Sequence, residues 1–303
     1  MKLLIDLDRA LADGSLSRQE HDKLKTIAAG QTSELAFNTL IGFGVVAVAA
    51  GFLALVQSTL AVAVTGGLLA GLGLALRFAG DKRRSLGELF LVIGTPMLAS
   101  GVVMLEDGSL AGFLSAAAIL AVGAVVAESG LLAAAAVIAL SGALGAATSY
   151  SHARYTLMIE RPTLNILVFP AVALGLVFLA ERLPRALERI ALIAARTAAL
   201  VAAMGFWIAS LWGDKLSGIT VPRGLYVVLW AVVLAAVGTW AWRTNRRWPL
   251  ITAVVFAAIH FYTQWFERLG ANPAAVLLGG AILVGIGFGL KTALTSMPAR
   301  PAT

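Results

Sequence analysis

Cysteine is absent from this chain and charge is scarce, with only 13% of the 303 residues Asp, Glu, Lys or Arg. The first absence excludes disulfides, thiolate metal sites and catalytic thiols, and it leaves the redox compartment open. The second excludes a soluble domain, because a folded chain of this size in water needs more polar surface than this composition supplies. Histidine occurs three times, and only His260 falls in an apolar run. A bis-histidine haem site within the chain is therefore excluded, and the same shortage argues against a metal enzyme. The chain has no H-E-x-x-H, no P-loop and no strand-to-helix G-x-G-x-x-G. No Ser or Thr has a base beside it that would make it a nucleophile. No cofactor is expected.

Apolar residues fill the chain instead: 59% is hydrophobic, with a mean hydropathy of +0.89. They fall in ten runs, at 36–56, 58–79, 87–105, 109–127, 130–149, 163–180, 190–212, 224–242, 248–266 and 273–293. About 20 apolar residues in a helix match a hydrocarbon core about 30 Å thick. Inside that core only helices and closed barrels satisfy their own backbone. The runs are continuous rather than alternating, which excludes a barrel. The expected fold is all-α: a polytopic transmembrane bundle of about ten spans over 36–293. A small cytoplasmic helical hairpin (1–30) precedes it and a C-terminal tail (294–303) follows. The fourth and fifth runs are separated only by residues 128–130, so a re-entrant hairpin or one interrupted segment is the alternative there.

Basic residues orient the runs. With the N-terminus inside, the inner side holds Lys2, Arg9, Arg18, Lys23, Lys25, Arg77, Lys82, Arg83 and Arg84. It also holds Arg182, Arg185, Arg189, Arg243, Arg246, Arg247, Lys291 and Arg300. The outer side holds Arg154, Arg161, Lys215, Arg223 and Arg268, and Arg196 lies within a run. Lys and Arg accumulate on the cytoplasmic side, so the expectation is a multi-pass protein of a bacterial inner membrane with both termini cytoplasmic. The net charge of +7 is then a topology signal and a contact with anionic headgroups, not a nucleic-acid footprint. Trp240, Trp242 and Trp248 fall near the inner interface, and Tyr150, Tyr155, Trp212 and Trp265 near the outer one, where amphipathic rings settle.

Residues 1–30 differ in composition. Leu4, Leu7 and Leu11 repeat at helical spacing, Asp13-Gly14 breaks the run, and Ser17 with Glu20 reads as a capping box. Leu24 and Ile27 continue an apolar stripe, and Gly30 is placed to end the helix. The hairpin is too small to bury a core alone. It packs on its own bundle, or it docks a protein partner or another copy of the chain. The first apolar run starts too late for a secretory signal.

The pattern LDRALADGSLSRQEHDKL ahead of many apolar runs resembles the start of a bacterial polytopic membrane-protein family of unknown function, the domain of unknown function 2157 family. The closing segments FAAIHFYTQWFERLG and LLGGAILVGIGFGL are similar to that family's end. The resemblance covers both ends. It implies a short hairpin followed by eight to ten spans, and no established reaction.

Gly67 with Gly71, and Gly285 with Gly289, stand four residues apart, a spacing that lets helix backbones approach. Tight packing inside the bundle, a dimer face and room for a ligand are the readings of these pairs. Pro96 and Pro170 lie inside runs, where each removes a backbone donor; transporters use such breaks. Ionisable residues inside apolar runs point to function because burial there is expensive. Arg196 lies about 10 Å deep, and it either snorkels to the headgroups or pairs with Glu88. His260, near Tyr262 and Gln264, is a hydrogen-bonded packing residue or a proton relay.

The functional expectation is a non-enzymatic membrane protein, an accessory or complex-associated subunit that binds protein partners or lipid. The alternative is a secondary transporter of a small molecule with the ten-span architecture of drug/metabolite transporters. Against transport stand the lack of an internal repeat between 36–150 and 163–293 and of a central acidic residue.

Overall fold

Among the described residues, nine helices and two short β-hairpins follow one another from Thr59 to Thr295. The structure, a computed structural model, describes residues 13, 17–21, 23, 51, 58–79, 81–151, 154–216, 219–270 and 272–295. The apolar run at 36–56 lies outside the described residues apart from Gly51, as do most of 1–30 and the tail beyond 295. Six of the helices are long and apolar enough to cross a bilayer. The chain divides into two compact units, Met1–Leu105 and Glu106–Thr303.

In the first unit the capping box forms. The Ser17 N–H donates to Glu20 Oε2 over 3.0 Å, and the Glu20 N–H donates to Ser17 Oγ over 3.3 Å. The Ser17 hydroxyl, and next its N–H, hold the Glu20 carboxyl below its ordinary pKa. The box is therefore whole above the usual carboxylate range and is lost as pH falls through the lowered value.

Helices α1 (Thr59–Phe78) and α2 (Asp81–Leu105) pack along each other in the same unit. Ser58 caps α1 by accepting from the Ala61 N–H. The contact is a glycine seam with a seven-residue period. Gly73 and Gly66 on α1 meet Gly87 and Gly94 on α2, and Gly101 of α2 meets Ala63. A Cβ on Gly94 would lie 2.4 Å from the Ala70 nitrogen and 2.8 Å from the Gly66 oxygen. A Cβ on Gly87 would lie 2.7 Å from the Gly73 oxygen, and one on Gly73 would lie 2.8 Å from the Gly87 oxygen. Only hydrogen fits between backbones this close. Four-residue spacing does not mark the seam: Gly67 has only Leu98 Cδ1 at 3.8 Å, and Gly71 has nothing within 4 Å.

The second unit begins with α3 (Leu110–Val126) and α4 (Gly130–Ala143), joined at Glu128, which adopts φ 49°. Ser109 and Ser129 cap them through the N–H groups of Gly112 and Leu132. With 17 and 14 residues they are about 26 and 21 Å long, short of a hydrocarbon core of about 30 Å. The helix expected over 130–149 ends early, because Gly145 turns at φ 84°. The segment that follows, in which Thr148 and Tyr150 favour a strand, pairs instead. Strand β1 (Ala146–Ser151) runs antiparallel to β2 (Arg154–Ile159), with Tyr150 opposite Tyr155.

Helix α5 (Pro162–Ala180) leads to α6 (Arg185–Trp212), the axis of this unit, which touches α3, α4, α5 and α7. Ala191, Ala194, Ala198, Ala202, Gly205 and Ala209 recur at three- or four-residue intervals, and their burial gives α6 a flat contact face. Gly213 ends α6 at φ 73°, and a Cβ there would lie 2.7 Å from the Val221 oxygen. Strands β3 (Asp214–Leu216) and β4 (Ile219–Val221) form the second hairpin. Helices α7 (Arg223–Arg243), α8 (Arg247–Leu269) and α9 (Pro273–Thr295) complete the chain. Phe206 of α6 stacks on Trp230 of α7 at 4.6 Å, and Phe256 of α8 meets Trp230 edge-on at 6.0 Å. These rings knit three helices into one core. Pro96 and Pro170 lie inside α2 and α5, which continue past them.

Gly94→Val is expected to destabilise the solubilised protein by about 1–3 kcal/mol, because the added atoms meet backbone. Gly71→Ala is expected to be neutral or to stabilise by up to about 1 kcal/mol. Thermal unfolding in detergent compares the two.

Candidate functional site

Helices α7 and α8 each turn a face of small residues toward the other, and the space left is an open groove of about 700 Å³. Ala231, Ala235 and Gly238 line it from α7, and Ala253 and Ala257 from α8. Leucine at these places would close it. The helices run antiparallel: Val227 is the backbone neighbour of the His260 ring, and the site of a Gly238 Cβ is 3.8 Å from Ala253 Cβ.

Three polar side chains line the groove, all from the C-terminal half of α8: His260, Gln264 and Arg268. Their spacing of four places them on one helix face. His260 is 9% exposed, and its Nδ1 has no hydrogen-bond partner. Gln264 donates from Nε2 to the Ser210 carbonyl over 3.4 Å. Next to it, Thr263 accepts from Trp207 Nε1 over 3.0 Å. These bonds tie α8 to α6 and fix the rotation that aims His260 into the groove. Trp265 Nε1 donates to the Ala275 carbonyl over 2.9 Å and joins α8 to α9. At the Arg268 end of the groove, Arg223 at the start of α7 pairs with Glu267 at 3.6 Å.

A second polar cluster sits where α5, β3 and α7 meet. Asp214 is buried and accepts from the Thr163 N–H over 2.9 Å, from the Thr163 hydroxyl, and from the Lys215 N–H over 2.7 Å. Thr163 Oγ1 also bonds Tyr226 Oη. Thr163 is the second residue of α5, so the carboxylate meets the positive end of that helix and one of its free N–H groups. Every contact of Asp214 is to a donor, and the cluster acts as a structural clasp. Its members are far apart in sequence, and no local signal joins them. In the same unit Asn165 is fully buried; its Nδ2 donates to the Arg161 carbonyl, and its Oδ1 has no partner.

The other residues singled out from sequence have their own surroundings. Glu88 accepts from Arg77 at 3.0 Å and from Arg84 at 3.1 Å, at the end of the glycine seam. The Arg196 guanidinium lies over the Trp248 ring, 5.4 Å from its centre. Gly285 has nothing within 4 Å of a built Cβ, and the surroundings of Gly289 lie outside the described residues. Among the described residues no three His, Cys, Asp or Glu side chains gather as metal ligands. The partners of His260 on its own face, Gln264 and Arg268, are visible in the sequence as H-x-x-x-Q-x-x-x-R, and only the groove gives that spacing a meaning.

No protein-family model, curated protein or solved structure matches this chain.

Asp214→Ala is expected to lower stability by about 1–3 kcal/mol, since it strips the α5 N-terminus of its acceptor. Lys215→Ala, which keeps the clasp, is expected to stay within about 0.5 kcal/mol. Thermal unfolding of the two variants measures the difference.

Proposed function

We propose that this chain is a non-enzymatic multi-pass protein of a bacterial cytoplasmic membrane, and that it holds a lipid in the groove between α7 and α8. In this reading about ten segments cross or enter the bilayer, with both termini inside, and α3 and α4 form the shallowest pair. Six long apolar helices support it. So does the exposure of large apolar side chains along them, among them Leu68, Leu167, Leu174, Val228, Val232 and Ile251. In water such faces would be aggregation sites, whereas in hydrocarbon they are solvated. Trp212, 81% exposed where α6 ends, suits an outer interfacial anchor. Arg196 over Trp248, the second residue of α8, suits a side chain that reaches back toward the inner headgroups.

The observation that carries the lipid reading is the groove itself: open, walled by Ala, Gly, Val and Leu with Phe261 and Trp265, and provided toward one end with a buried imidazole nitrogen that has no partner. An unpaired polar atom in hydrocarbon costs about 1–3 kcal/mol, which a ligand hydroxyl donating to it would offset. The polar face covers only part of the groove's length, which favours holding an amphiphile over conducting a solute. A protein partner or a second copy, engaged through residues 1–30, belongs to the same accessory role.

Native mass spectrometry of the protein in mild detergent tests this. The wild type is expected to carry lipid in stoichiometric amount. Ala235→Phe with Ala257→Phe, which fills the groove, is expected to lower that occupancy about tenfold. Ala236→Phe on another face of α7 is expected to leave it unchanged. Equal lipid on all three proteins would refute the groove as the site.

A further inference from the structure

The groove is segregated along its length, and that segregation specifies a ligand. Measured along α8, Arg268 stands eight residues beyond His260, or about 12 Å, and fifteen beyond Ala253, or about 22 Å. All three polar lining groups, His260, Gln264 and Arg268, lie in the first of these stretches. From Ala257 down to Ala253, and opposite them on α7 from Ala231 to Gly238, the lining is Ala, Val, Leu and Gly. One end can thus meet a polar head, and the other can meet only hydrocarbon.

The head end also has a sign. Arg223 and Glu267 neutralise each other at 3.6 Å. Among the described residues Arg268 has no ion pair, so one positive charge is left at the groove's mouth. A guanidinium offers paired donors to phosphate or carboxylate oxygens. Deeper in, the Gln264 amide can donate to an ester oxygen, and the His260 nitrogen that lacks a partner can accept from a hydroxyl. Beyond His260 the small residues continue the groove for about 10 Å, as far as Ala253, about a third of a hydrocarbon core.

Resting on the lipid-binding reading above, we infer that the groove selects an anionic phospholipid, with its phosphate at Arg268, its ester region at the Gln264 amide beside the His260 ring, and one chain along the alanines of α7 and α8. A zwitterionic phospholipid carries the same phosphate and chains but brings a second positive charge to a mouth that is already positive.

The test uses the full chain, delipidated in detergent and offered equimolar phosphatidylglycerol and phosphatidylcholine, with bound lipid read by native mass spectrometry. The wild type is expected to retain phosphatidylglycerol over phosphatidylcholine about fivefold, the effect of one partly exposed charge. Arg268→Gln is expected to erase that preference while still carrying lipid. Arg196→Gln, a charge elsewhere on the same unit, is expected to keep it. His260→Phe is expected to weaken the retention of both lipids. If the wild type binds lipid without preference, or if Arg268→Gln keeps the preference, the inference is overturned and the lipid-binding reading stands. If neither lipid is retained by the wild type, the lipid-binding reading itself falls. Thermal unfolding of each variant separates loss of the site from loss of the fold.

Discussion

Two helices lying in hydrocarbon gain nothing from hiding apolar side chains against each other, since lipid tails serve those side chains equally well. What can hold such helices together is close contact between their backbones, and that contact tolerates only the smallest residues. In the first unit the requirement is met by glycine every seventh residue on both α1 and α2, until the seam ends at the ion pair of Arg77 with Glu88. In the second unit alanine does the same work along α6, and the helices around it take their positions from that flat face.

Where contact is made by small residues, space is left wherever two small faces fail to close. Between α7 and α8 they do not close, and the gap becomes the groove. The same helices carry large aromatic rings on an adjacent face, where Trp230 is held between Phe206 and Phe256, so the groove has a stiff back wall. Polar groups divide accordingly. Asp214 is surrounded by donors and locks the end of α5. His260 is aimed into the groove with one nitrogen uncommitted. The first arrangement holds the fold together, and the second gives it something to bind with.

Helix positions are legible from the sequence because a long apolar run in a chain with so little charge has few other solutions. The ends of α5 and α7 fall within a residue or two of the expected boundaries, their starts marked by Pro162 as the first residue of α5 and Pro222 just before α7. The fifth run is misread at its end because hydropathy does not register Gly145 or the β preference of Thr148 and Tyr150 that follow. The seam escapes a search for glycines four apart, since antiparallel helices in contact over several turns repeat every seven residues. The period is present in the sequence as 66 and 73 against 87, 94 and 101. The groove is legible only in part: His260 stands out as the one imidazole in an apolar run, but its orientation depends on bonds from Trp207 to Thr263 and from Gln264 to Ser210, more than fifty residues apart.

The proposal depends most on α8 crossing the bilayer with its Arg268 end outward. The absence of cysteine allows this to be tested without altering the background. Single cysteines at Thr244→Cys and Asn272→Cys flank α8, and a membrane-impermeant maleimide reports the side each one faces. The expected result is labelling of Asn272→Cys in intact spheroplasts and of Thr244→Cys only in inside-out vesicles. Labelling of both from the same side, or the reverse pattern, would contradict the orientation and with it the placement of a lipid head at the groove's polar end.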